Sequence, residues 1–160
     1  MPKRFRFVPL LATALVAVAS FAFAQSSERI EVVIELREFS FTVAGGEENA
    51  TIVLQAGQPY SVVFQNVGMM EHEVLVGRAV LSEDGVPDGY ETNLLDAVPV
   101  DVVGAEWEVG TSGFVEVELE AGESVTIHFT LPVELVGTWE IGCFIPGHYQ
   151  AGMRAPIVVE

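Results

Sequence analysis

The chain has 160 residues, half of them hydrophobic, with 23 acidic residues against seven basic ones and a formal net charge of −16. That length suits one domain with a sizeable core. The acidic balance excludes a nucleic-acid or anionic-membrane surface and favours encounter with basic partners.

The first 24 residues read as a secretory signal: Lys3, Arg4 and Arg6 start it, Phe7 to Phe23 make an apolar run, and Ala22-Phe23-Ala24 resembles a cleavage site. Pro9, Thr13 and Ser20 interrupt the run, which favours a cleaved signal over a membrane anchor. The expected product, residues 25–160, is one exported domain, periplasmic or otherwise extracytoplasmic, that would meet a membrane only through partners or an uncleaved signal. Its cations are Arg29, Arg37, Arg78 and Arg154, so its formal charge is 4 − 23 = −19. A monomer is expected.

From Arg29 onward the chain consists of short β-type runs. Ile30 to Leu36 opens the domain and Phe39 to Val43 alternates with period two. Turns at Ala44 to Asn49 and Ala56 to Pro59 flank a short run at Thr51 to Leu54. Tyr60 to Asn66 and His72 to Gly77 follow. Arg78 to Ser112 breaks the pattern as a long acidic insertion, in which Thr92 to Ala97 could form a helical turn and Val98 to Val103 a short strand. Phe114 to Glu120 and Ser124 to Leu131 alternate again, placing Val125, Ile127 and Phe129 inward and His128 outward. Thr138 to Cys143 and Ala155 to Val159 complete the set. About eight strands at this spacing indicate an all-β antiparallel sandwich or barrel.

The chemistry concentrates near the C-terminus. Cys143, His148 and Met153 follow one another with four residues in each gap, and Pro146-Gly147 turns the chain before the histidine. An exported chain with a single cysteine forms no internal disulfide, which leaves its thiol free, intermolecular or metal-bound. A thiolate, an imidazole and a weak thioether are three of the four ligands of a blue-copper site, and His72 is the natural fourth. Taken singly, each residue reads as ordinary packing. Taken together they read as a metal site. Met69, Met70, Phe144, Ile145, Pro146 and Tyr149 are expected to form an apolar rim around it, and Trp107 and Trp139 to anchor core or loops.

The chain resembles the cupredoxins, the type 1 blue-copper carriers that include plastocyanin, azurin and auracyanin. The resemblance runs from about Arg37 to Glu160. It is most specific over Cys143-x-x-Pro146-Gly147-His148-x-x-Ala151-Gly152-Met153, with Asn66-x-Gly68 ahead of His72. It implies a Greek-key β-sandwich with one copper ion on His72, Cys143, His148 and Met153. It also implies one-electron transfer between exported or membrane redox partners and no enzymatic turnover. Copper delivery, storage or resistance on the same ligands is the alternative. One departure stands out: Glu73 occupies the position where plastocyanin and azurin carry an asparagine that ties the ligand loops together.

Overall fold

Alternating side chains bury one face of a strand and wet the other, and two such sheets close face to face here. The computed structural model describes residues 28–96, 98–104, 106–110 and 113–160. The expected signal at 1–24 lies outside them. Among the described residues there are twelve strands: β1 (Ile30–Arg37), β2 (Ser40–Val43), β3 (Ile52–Leu54), β4 (Pro59–Asn66), β5 (His72–Glu83), β6 (Val86–Asn93), β7 (Asp101–Val103), β8 (Glu106–Gly110), β9 (Gly113–Leu119), β10 (Ser124–Thr130), β11 (Gly137–Gly142) and β12 (Arg154–Val159). One 3-10 turn, Val133–Leu135, precedes β11.

The first sheet has the order β2-β1-β4-β10-β7, and the second β3-β12-β11-β5-β9-β8, with β6 on the outer half of β5. The all-β sandwich is as expected, but its pairing is mixed. β1 runs parallel to β4, and β3 parallel to β12. The chain crosses between sheets from β2 to β3 and returns beside β1, and such a return permits parallel neighbours where a tight hairpin would not.

The predicted inward residues fill the space between the sheets. Val125, Ile127 and Phe129 of β10 face Ile141 of β11 and Ile157 of β12 across one continuous core. His128 is half-buried on the opposite side of β10, aligned with Ser61 and Asp101.

The segment from Arg78 to Ser112 holds far more strand than its sequence suggests. β5 continues to Glu83, turns through Asp84-Gly85 with both φ angles positive (50° and 82°), and returns as β6. That is the geometry of a two-residue hairpin turn, and Asp-Gly is a favoured pair for it. The expected helical turn is a hydrogen-bonded bend, with the Asp96 amide donating to Asn93, and it buries Leu94 and Leu95. β7 supplies the short strand.

Ile141 is fully buried between the sheets, whereas Val53 of β3 is 52 % exposed. Ile141→Ala is expected to cost about 2–5 kcal/mol, read as a lower urea midpoint at unchanged slope. Val53→Ala should move stability by less than about 0.5 kcal/mol.

Candidate metal centre

Four strand ends meet at one pole. β4 ends at Asn66, β5 begins at His72, β11 ends one residue before Cys143, and β12 begins one residue after Met153. The side-chain ligand atoms of His72, Cys143 and His148 all lie within 4.8 Å of one another. Cys143 Sγ is 3.3 Å from His148 Nδ1, and the two imidazole centroids are 5.2 Å apart. His72, Cys143 and Met153 are wholly buried, and His148 is 7 % exposed. The pole therefore gathers the expected residues, and His128 takes no part in the donor group.

Local hydrogen bonds explain how the C-terminal loop holds its shape. The His148 amide donates to the Ile145 carbonyl (2.9 Å), and the Met153 amide to the His148 carbonyl (3.0 Å). The Cys143 amide donates to the Met153 carbonyl (3.2 Å), so the loop's two ends are clasped together. Gly147 adopts φ 94°, in the left-handed region that a side chain would resist. Met153 is thereby anchored between the cysteine and the histidine.

His72 is placed by Asn66, whose side-chain amide donates to Met70 O (2.7 Å) and Leu119 O (2.9 Å) while its carbonyl accepts from the Gly68 amide. Gly68 must stay small. A Cβ there would lie 2.8 Å from Glu38 Oε1 and 3.2 Å from His72 Nε2. Glu38 Oε1 accepts from the Met69 amide, which holds the carboxyl below its ordinary pKa.

Two features were not legible in the sequence. The tip of the β1–β2 hairpin, Glu38-Phe39, reaches into the pole, where Phe39 meets the His148 ring edge-on at 5.4 Å. Phe39 sits at φ 66°, a strained conformation for an aromatic residue and one that marks functional sites. The second feature is Asn49. Its Oδ1 accepts from the Phe41 amide (2.9 Å), and its Nδ2 donates to Gly152 O (3.1 Å), next to Met153.

The electrostatics of the donors suit a bound cation. Neither His72 nitrogen has a protein partner, although the ring is buried. Leaving such groups unsatisfied costs about 1–3 kcal/mol each. Burial lowers the pKa of both imidazoles, and His148 adds a repulsive contribution at His72. They are therefore neutral and able to ligate. Burial pushes the Cys143 thiol up to about 11, while the backbone amides of Glu73 and Ile145 pull it down. A bound cation reverses that balance and favours the thiolate. Two imidazoles, a thiolate and a buried thioether fit a type 1 copper ion.

Glu73 supplies the tie expected of an asparagine. Its amide donates to Cys143 Sγ (3.4 Å), and its Oε2 accepts from the Phe144 amide (3.3 Å). The expected rim is only partly apolar surface. Met69 is 88 % and Met70 38 % exposed, but Phe144 and Tyr149 are buried in a separate cluster with Leu75 and Tyr90. They turn away from the rim because the loop lays them on the outer face of the second sheet.

No protein-family profile matches the chain. It is 28 % identical over 111 residues to the copper-resistant cuproprotein CopI of Rubrivivax gelatinosus, an alignment covering 69 % of this chain and 58 % of that protein. The chain thus spans less than two thirds of that relative's length. Rusticyanin from Thiobacillus ferrooxidans superposes with a TM-score of 0.53 at 26 % identity, covering 84 % of this chain and 79 % of rusticyanin. Reduced auracyanin from Roseiflexus castenholzii gives a TM-score of 0.51 at 18 % identity, over 81 % of this chain and 96 % of that one.

Two outcomes follow. Burial and the neighbouring carboxylates, chiefly Glu116, raise the Glu73 pKa from 4.5 to about 7. A carboxyl raised on folding stabilises the fold below its unfolded pKa, and that contribution is lost as pH climbs through the folded value. The metal-free protein should therefore lose more urea resistance between pH 5 and pH 8 than its Glu73→Gln variant does; equal losses would contradict the shift. Asn49→Ala should cost about 1 kcal/mol of stability for each hydrogen bond lost, measured by denaturant titration.

Proposed function

We propose that this chain is a cupredoxin that holds one type 1 copper ion on His72, Cys143, His148 and Met153 and serves as a one-electron carrier. The observation that carries this reading is the convergence of three donor atoms within 4.8 Å at a pole where no donor is more than 7 % exposed. Bound there, copper supplies a one-electron couple whose potential the donors and their surroundings set.

The chain's own part is to hold the donors still. The clasped 143–153 loop and the Asn66 brace restrict how far the donors can move between oxidation states, which keeps reorganisation small. The Glu73 amide donates to sulfur and tempers the thiolate's basicity. Burial excludes water. Four protein donors leave no open position for a substrate, so the reading is a carrier and not an enzyme. Rusticyanin and auracyanin have each been crystallised in a reduced state, which supports redox cycling in this architecture.

His148 is the donor nearest solvent, beside the exposed Phe39. We take that edge as the point of electron entry, with the chain's net charge steering a basic redox partner towards it. The N-terminal segment would direct the protein across the cytoplasmic membrane to the periplasm. Among the described residues no helix is long and apolar enough to cross a membrane.

The relative named for copper resistance favours a second reading, in which the same donors load and release copper. Voltammetry of the copper-loaded protein, followed by challenge with a Cu(I) chelator, separates the two. A reversible one-electron wave, with copper retained through repeated cycles, is expected. Rapid surrender of Cu(I) on reduction would favour copper handling instead. Electron exchange with a basic redox protein should slow as ionic strength rises.

A further inference from the structure

Tyr90 links the β6 arm of the acidic hairpin to the loop that follows Cys143. Tyr90 leaves β6 and lies across β5 and β11 towards the Cys143 loop, in a seat made by two glycines. A Cβ at Gly77 would stand 2.5 Å from Tyr90 Cβ, and one at Gly142 would stand 2.7 Å from the Tyr90 hydroxyl. Within that seat the Tyr90 ring meets Phe144 edge-on at 4.9 Å, and Phe144 stacks on Tyr149 at 5.0 Å and 14°. The hydroxyls of Tyr90 and Tyr149 both donate to Glu140 Oε1, at 3.0 and 2.5 Å. The Arg154 guanidinium lies 4.8 Å over the Tyr149 ring.

The sequence positions give this cluster its meaning. Phe144 follows Cys143, Tyr149 follows His148, and Arg154 follows Met153. Each loop donor thus has its next neighbour gripped in one patch on the outer face of the second sheet. Tyr90 comes from β6, outside the loop and the strands that flank it, and Leu75 of β5 completes its packing.

We propose that Tyr90 is a positioning residue for the metal centre: the hairpin carries it over β5 to latch the 143–153 loop from outside. The latch fixes Phe144 and Tyr149, and through them the backbone at Cys143, His148 and Met153. Its effect on copper rests on the function proposed above; its mechanical effect on the loop does not.

Amide hydrogen exchange on the metal-free protein tests the mechanical part. Tyr90→Ala should speed exchange at residues 148–153 on the order of tenfold while leaving β4 and β10 unchanged. Tyr90→Phe, which keeps the ring and loses the hydroxyl, should give a smaller rise. If the alanine variant does not fold, Tyr90→Phe combined with Glu140→Gln takes its place and should still speed exchange in the loop selectively. Unchanged exchange in the loop, or an equal rise in β4 and β10, overturns the latch. In the copper-loaded protein, Tyr90→Ala should shift the thiolate-to-copper absorption band and hasten copper loss to a chelator. An identical band and loss rate would overturn the latch's role at the metal. Absence of the band from the wild-type protein would refute the copper reading alone, because loop exchange still decides the latch.

Discussion

The structure depends on keeping two neutral imidazoles and a thiol together in a buried pole while the His72 ring goes without a hydrogen-bond partner. His72 is buried with both nitrogens unpartnered, and the Cys143 thiol is pushed up to about 11 by the same burial. Left alone, such a cluster would relax or admit water. It persists because strands from both sheets end around it, and because each donor-bearing segment is tied to another. Asn66 braces the approach to His72, and Glu73 joins the His72 strand to the Cys143 loop. A metal that binds the assembled donors converts their unmet demand into stability, which couples folding to metal uptake.

The rest of the sandwich can be read as support for that pole. Asn49 reaches Gly152 from 103 residues away, and Phe39 holds a strained backbone angle to bring its ring against His148. The hairpin β5–β6, acidic and exposed over much of its length, sends Tyr90 back to the outer side of the same loop. The loop that carries three of the four donors is therefore held from inside by the core, at its end by Asn49 and from outside by Tyr90. Rigidity of this kind favours electron exchange, where geometry should change little, over a cycle of loading and release.

The sequence was most informative where chemistry is local. Cys143, His148 and Met153 lie within eleven residues, and a lone cysteine in a chain that reads as exported narrows its own roles. The period-two runs of β9 and β10 likewise show their buried faces directly. Long-range features were less visible. Pro87, Asp88, Gly89 and Asn93 make β6 look like loop, and only its register against β5 makes it a strand. The Asp84-Gly85 pair was a usable hairpin signal. Nothing in the sequence, by contrast, told that Phe144 and Tyr149 would turn outward to meet Tyr90, or that Glu38-Phe39 would reach the pole. Those placements follow from tertiary packing, which overrides local pattern.

The most direct measurement is a Cu(II) titration of the purified protein, followed by visible absorption in parallel with its Cys143→Ser variant. An intense thiolate-to-copper band that saturates at one equivalent, and is missing from the variant, is the expected result. Copper binding without that band, or a band that survives loss of the thiol, would contradict a type 1 site on these donors.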